Sequence, residues 1–219
     1  MQNSPSPETP EAWDAASSGY AEKVAPRLMR AFMEEFVERL DPAPDAQALE
    51  VGAGSGVLTE ALAQQVDRVL ATDFSPAMIK LLESRMHEIG ATNVACQVMD
   101  GQALALADAS FDVVASSFAL MLFPDRARGF AEMSRVLRPG GRAMVSVWDA
   151  PERLEALGIL LQAVRKAFPE QPPPPAPLPI FSLADPLQFR AEMEEAGFTE
   201  VEIASTAREL SVPDFDQLW

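Results

Sequence analysis

A single cysteine, Cys96, serves the whole chain, so no intramolecular disulfide and no cysteine-rich zinc site can form within it. Its setting in the apolar stretch NVACQVM marks it for packing rather than reactivity. His87 is the only histidine, and it falls near the end of the helical pattern AMIKLLESRMHEIG, where a cap or surface role is expected. A Ser-His-Asp triad or a histidine metal site would rest on this one residue, so no metal is expected. Basic residues are also scarce: 17 Lys and Arg stand against 33 Asp and Glu, for a net charge of −16 and no dense basic run. That balance argues against a nucleic-acid partner, which needs a local cationic excess, and serves solubility instead. Long apolar runs are missing as well. FALMLF is far too short to cross a bilayer, and the opening MQNSPSPETPEAW has neither a positive leader nor an apolar stretch. A cytoplasmic protein with no membrane span is expected.

What is present is an alternation. Residues 1–15 read as a disordered tail rich in Pro, Ser and Glu. From Tyr20 to Leu40 the pattern is helical, with Leu28, Phe32, Phe36 and Leu40 on one face. ALEV, RVLATD, NVACQVM, FDVVASSF and RAMVSVW then read as strands, separated for the most part by helical stretches. Ser75 followed by Pro76 is a helix start, and Pro139-Gly140-Gly141 stops the helix DRARGFAEMSRVL. The expected fold is α/β: a Rossmann-like, doubly wound and mostly parallel sheet with helices on both faces. Past Trp148 come a helix over 152–168, the proline-rich PEQPPPPAPLPIF, a helix DPLQFRAEMEEAG and a strand-like FTEVEIAS.

The strongest local signal is EVGAGSG, which places Gly52, Gly54 and Gly56 after the first strand. Ligands of open parallel sheets bind beyond the carboxyl ends of the strands, and absent side chains let backbone approach them. The dinucleotide fingerprint G-x-G-x-x-G is not met, because Val57 stands where its third glycine belongs. Asp73 ends the second strand, where a carboxylate can accept two hydrogen bonds from a ribose diol. Tight turns also collect glycine and acids also cap helices, so each feature has a structural reading beside the functional one.

LEVGAGSG, ATDFSPAMI, VMDGQAL, FDVVASSFAL and VLRPGGRAMVSVW together resemble the successive motifs of class I S-adenosylmethionine-dependent methyltransferases. The likeness is to the small-molecule branch that includes quinone-biosynthesis methyltransferases, and it runs from Ala48 to Trp148 with a weaker tail LQFRAEMEEAGFTEVEI. It implies one domain over 1–219, with 48–148 as the cofactor-binding core and the N-terminal helix and 150–185 as lid. It implies that Glu50 and the turn Gly52, Ala53, Gly54 and Gly56 line the methionine part of S-adenosyl-L-methionine. Asp73 would hold the ribose, with Phe74 and Met78 flanking the adenine. Asp100 would meet the exocyclic amine, with Gly101 and Gln102 beside it. Ser116 and Ser117 would approach the methionine amino group and sulfonium.

Methyl transfer from a sulfonium needs chiefly alignment and exclusion of water, so no catalytic base is nominated. The partner implied is a small-molecule methyl acceptor, with Phe118, Leu120, Met121, Leu122 and Phe123 as candidate apolar lining, although packing is the expected role for most of them, and with Trp13 and Tyr20 closing above. SSFALMLFPD lacks the Asn/Asp-Pro-Pro-aromatic signature of nucleic-acid amino-methyltransferases. The family sheet normally ends in an antiparallel hairpin, for which ARELSV is a poor candidate: it serves otherwise, the chain is a truncation, or a partner covers the gap, and an uncovered edge favours association, a homo-oligomer among the options. A non-catalytic cofactor-binding module and a nicotinamide-dependent oxidoreductase are the rival readings.

Overall fold

Leu49, Val51, Val114 and Ala115 have no accessible surface, because the strands that carry them are covered on both faces. The computed structural model describes residues 9–167, 169–170 and 178–209. Its sheet comprises β1 (Gln47–Val51), β2 (Arg68–Asp73), β3 (Val94–Val98), β4 (Phe111–Ser117) and β5 (Leu137–Ser146). All pairs are parallel and the order is β3-β2-β1-β4-β5. The chain winds outward from β1 in one direction through β2 and in the other through β4, so the switch point lies beyond Val51 and Ser117. In register, Asp73 pairs with Val98 and Ser117 with Ser146, which brings the carboxyl ends of the strands to a common rim.

Seven α-helices surround the sheet among the described residues: α1 (Pro10–Gly19), α2 (Arg30–Leu40), α3 (Val57–Ala63), α4 (Pro76–Glu88), α5 (Arg126–Val136), α6 (Glu155–Ala167) and α7 (Pro186–Glu195). Phe36 and Leu40 of the expected apolar face are buried, while Leu28 and Phe32 are partly so and pack on the same core. Leu58, Leu62 and Leu82 are buried to 2% or less, each contributing roughly 1.5–3 kcal/mol by leaving water. A π-helix over Tyr20–Met29 joins α1 to α2 and contains Pro26. Proline has no N–H to donate and crowds a regular α-turn, and the wider π turn accommodates it.

Four expectations need correction or a limit. Residues 10–15 are not a tail: Thr9 is an extended N-cap accepting from the Ala12 N–H, Pro10 fills the first position and Glu11 suits the positive end. Residues 1–8 of that expectation lie outside the described ones. β5 begins at Leu137 rather than Arg142, because Leu137 already pairs with Phe111 and a bulge absorbs Gly140 at φ +79°. FTEVEIAS forms no strand. Arg190 takes the Val201 carbonyl, Glu200 turns left-handed at φ +54°, and Ser205 and Thr206 bond Asp149 and Glu35. Side chains thus tie this segment to α7, to the stretch after β5 and to α2 instead of extending the sheet. The proline-rich stretch and ARELSV run into residues 171–177 and 210–219, outside the described residues.

Candidate cofactor-binding site

Glu50 sits on β1 at 1% exposure, so its carboxyl has no water around it. Thr59 of α3 donates its hydroxyl to Glu50 Oε2 at 2.6 Å. Burial pushes Glu50 up to about 8, the Thr59 bond opposing and the Asp73 charge adding to the rise.

The turn that follows explains its glycine spacing. Gly52, Gly54 and Gly56 have φ of +73°, +54° and +87°, while Ala53 and Ser55 between them do not adopt positive φ. Alternate residues therefore need the left-handed region that a Cβ disfavours. Gly52 and Ala53 both donate their N–H to the Thr72 carbonyl at 2.9 Å, and Gly54 donates to Asp73 Oδ2 at 2.9 Å. Asp73, 7% exposed, also accepts the Ser75 N–H on Oδ1 at 2.9 Å. Burial raises it above the usual carboxylate range against the pull of these two bonds, and Asp14 adds repulsion.

The cap of α4 is Ser75, whose Oγ accepts from the Met78 N–H at 3.1 Å. Asp14 of α1 supplies a second acceptor there, taking the Ser75 hydroxyl at 2.5 Å and the Ala77 N–H at 3.1 Å. Asp73 is thereby left facing the glycine turn rather than capping the helix.

A crevice opens at the switch point, lined by Glu50, Gly52, Ala53, Gly54, Ser55, Val57, Leu58 and Ser117 below and by Tyr20, Ala25, Met29 and Met33 above. Its free volume is about 30 Å3, room for one water. Tyr20 meets Trp13 edge-on at 5.5 Å. Burial, with Asp73 and Glu50 nearby, pushes the Tyr20 phenol up to about 12. As Tyr20 is the only tyrosine, its ultraviolet titration reads this site alone, and a midpoint near 10 would show that the roof does not rest on the acids. A hollow of about 470 Å3 on the outer side of α2 is larger, but it is open surface between Glu34, Glu35, Glu38 and Arg208. Thr206, Arg39 and Arg208 hold Glu35 down to about 2 there.

Of the residues expected to form the site, the crevice gathers Glu50, Gly52, Ala53, Gly54 and Ser117, with Asp73 bonded to its turn. Gly56 closes the turn, donating to the Ala53 carbonyl at 3.0 Å. Ser117 pairs with the Ser146 hydroxyl at 3.0 Å, whereas Ser116 is fully buried and spends its hydroxyl on the Val51 carbonyl at 2.8 Å. Met78 is 1% exposed within α4, and Phe74 is half-buried. Asp100 lies just past β3 on the same rim as Asp73, accepting the Gln102 N–H at 2.9 Å and its side-chain amide at 3.1 Å. Gln102 in turn accepts the Asp125 N–H at 2.8 Å, tying the turn to α5. Gly101 is required by packing: a Cβ would stand 2.6 Å from Val51 Cγ1 and 2.7 Å from Phe123 Cε2. Gly101→Ala is expected to cost ~1–3 kcal/mol by overpacking, read from urea denaturation.

Leu120 and Met121, expected as acceptor lining, are 0% and 4% exposed and belong to the core. Cys96 packs half-buried, and burial with Glu83 and Glu50 pushes its thiol up to about 11. His87 is exposed. The roof residues Ala25, Met29 and Met33 escaped the sequence reading, although their spacing of four marks a second apolar row beside Leu28 and Phe32. Ser55 escaped it too, hidden between glycines.

The residues fit a nucleoside cofactor with a cationic tail. Glu50 and Asp73 are both buried, and among the described residues no Lys or Arg reaches either carboxyl. Buried acids without a cation favour a ligand that brings one. Among the described residues no helix is long and apolar enough to cross a membrane, and no group of His, Cys, Asp and Glu is placed to hold a metal ion.

Residues 49–145 match the family model of the methyltransferase domain. Methyltransferase ktnA of Aspergillus niger is 28% identical over 87% of this chain and 73% of its own length. Demethylmenaquinone methyltransferase of Corynebacterium kroppenstedtii is 38% identical over 52% of this chain and 47% of its own. The chain thus spans about half the length of the demethylmenaquinone methyltransferases it matches. The solved structure of a SAM-dependent methyltransferase from Aquifex aeolicus superposes with a TM-score of 0.64 at 18% identity, covering 84% of this chain and 87% of that one. Over those residues the chain is thus similar to methyltransferases.

Proposed function

We propose that the protein transfers a methyl group from S-adenosylmethionine to a small-molecule acceptor. The observation that carries this reading is the pair Glu50 and Asp73, buried without a cation on either side of a left-handed glycine turn at the switch point. The cofactor supplies a methyl group already activated by a sulfonium. The chain's own work is placement. Glu50 receives the ammonium of the amino-acid tail, Asp73 the ribose hydroxyls, and the Gly52–Gly56 turn lets backbone lie against the ligand. Tyr20, Met29 and Met33 exclude water once the roof closes. Positioning of this kind is worth effective molarities of ~10^5 M or more. His87 takes no part: it lies eleven residues along α4 from Pro76, about 16 Å down the helix axis from the rim.

An apolar, ring-bearing acceptor is supported by an aromatic cluster next to Ser117. Phe118 and Trp148 lie 4.4 Å apart, and Phe32 meets both edge-on at 5.9 and 6.2 Å. Phe118 is held at φ +55°, a costly conformation for a residue with a Cβ, with its N–H bonded to the Ser146 carbonyl. The demethylmenaquinone methyltransferases among its relatives carry a quinone in their name, which suits such a wall. The reading extends to 150–185 as a cover on that side, although 168 and 171–177 lie outside the described residues.

The test pairs calorimetric binding of S-adenosylhomocysteine with mass-spectrometric detection of methyl transfer across phenols, hydroquinones and amines. Binding together with methylation of a ring acceptor is expected. Binding with no transfer to any acceptor would favour a non-catalytic module, a reading that draws on the absence of any strand beyond β5 among the described residues. Protection against heat by NADH but not by S-adenosylhomocysteine would favour the oxidoreductase.

A further inference from the structure

The serines at the ends of β4 and β5 spend their hydroxyls differently. Ser116 gives its own to the Val51 carbonyl at 2.8 Å, the ordinary fate of a buried serine. Ser117 and Ser146 face each other in the β4–β5 register and turn to each other instead, Oγ to Oγ at 3.0 Å. Among the described residues the pair has one further partner, the Met33 sulfur at 3.8 Å from Ser117 Oγ, which is a weak acceptor. Two hydroxyls carry two protons, and the bond between them uses one. With Ser117 as donor, the Ser146 proton meets no acceptor among the described residues, and lone pairs remain on both oxygens. Both residues are half-buried, so a ligand can reach them.

Their position gives the pair a use. Ser117 lines the crevice with Glu50 and Gly52. The next residue, Phe118, opens the ring cluster with Phe32 and Trp148, and its N–H is anchored on the carbonyl of the same Ser146. The two hydroxyls therefore stand where the crevice meets the rings. We propose that the Ser117–Ser146 pair holds the hydroxyl of a phenolic acceptor, so that the methylated atom is an oxygen on an aromatic ring. This rests on the methyltransferase reading and deepens it by naming the reacting atom. The acceptor's ring lies against Phe118 and Trp148, while the pair donates one proton to its oxygen and accepts the phenol's own. In the transfer a lone pair of that oxygen forms the bond to the methyl carbon. The carbon–sulfur pair stays on sulfur and cancels the sulfonium charge, and the phenol proton passes to water.

The experiment uses the full chain saturated with S-adenosylhomocysteine and two probes of similar shape, 2-naphthol and 2-methylnaphthalene, measured by equilibrium dialysis. The parent is expected to hold 2-naphthol ~5-fold more tightly, the scale of one hydrogen bond. Ser146→Ala should erase that preference by weakening 2-naphthol alone, and Ser146→Thr, which keeps the hydroxyl, should restore it. With S-adenosylmethionine the product should be 2-methoxynaphthalene, which chromatography separates from the ring-methylated 1-methyl-2-naphthol of equal mass. Equal affinity of the parent for both probes would overturn the proposal. So would equal weakening of both by Ser146→Ala, the mark of a collapsed wall. A methyl group found only on the ring carbon would overturn it too, while leaving the methyltransferase reading in place. Failure of the parent to bind S-adenosylhomocysteine would instead bring down that reading, and this one with it.

Discussion

Glu50→Gln is expected to stabilise the free protein at pH 8 and to weaken its hold on S-adenosylmethionine. The folded chain raises this carboxyl from its ordinary 4.5 to about 8. Below pH 4.5 both folded and unfolded chains carry the proton, and the neutral form suits the buried site. Between 4.5 and 8 the unfolded chain gives up a proton that the folded one retains, so this stability is lost progressively as pH rises. Above 8 the loss is complete. Each unit of displacement corresponds to ~1.4 kcal/mol, which makes the penalty several kcal/mol at pH 8. Glutamine carries no such charge and still accepts the Thr59 hydroxyl. The melting temperatures of parent and variant should therefore lie close at pH 5 and diverge steadily to pH 8, with the variant higher. Parallel curves would show that Glu50 is not buried as described. Binding moves the other way: a cationic tail favours the ionised acid, so the parent's affinity rises from pH 6 to pH 8. The variant loses that slope together with ~1.5–3 kcal/mol of binding.

Asp73→Ala is expected to have the second largest effect. It removes the acceptor of the Gly54 and Ser75 N–H groups and, on the proposed reading, of the ribose diol. Affinity for S-adenosylhomocysteine should fall by ~1–3 kcal/mol, from calorimetry. Because Asp73 contributes to the raised values of both Glu50 and Tyr20, the variant should also bring the Tyr20 titration down from about 12. An unchanged affinity with a lowered tyrosine midpoint would keep Asp73 beside the crevice but remove it from the ligand.

The rim of the sheet was legible in the sequence because its signals are local. A Ser-Pro cap, a glycine turn and an acid at a strand end each carry their conformation within a few residues. Glu50, Gly52, Gly54 and Asp73 come together around the turn on that account. What escaped depended on contacts distant in the chain. Thr9-Pro10-Glu11 is a helix start that the polar composition around it obscured, and Asp14 acquires its role only when α1 reaches α4, more than sixty residues on. Leu120 and Met121 could have been wall or core from their sequence, and they are core, the packing role that such an apolar run favours. FTEVEIAS has the alternation of a strand, yet pairing requires a free neighbour in register; its Ser205 is held by Asp149 instead, and Thr206 just beyond it by Glu35.

The alternating backbone of the first turn has an evolutionary corollary. At 52, 54 and 56 any substitution puts a Cβ into left-handed backbone, and every single-nucleotide change of the residue there meets that barrier. Positions 53 and 55 carry no such constraint. Within this loop, the side chains at 53 and 55, both lining the crevice, are the two that can change while the path of the chain stays put.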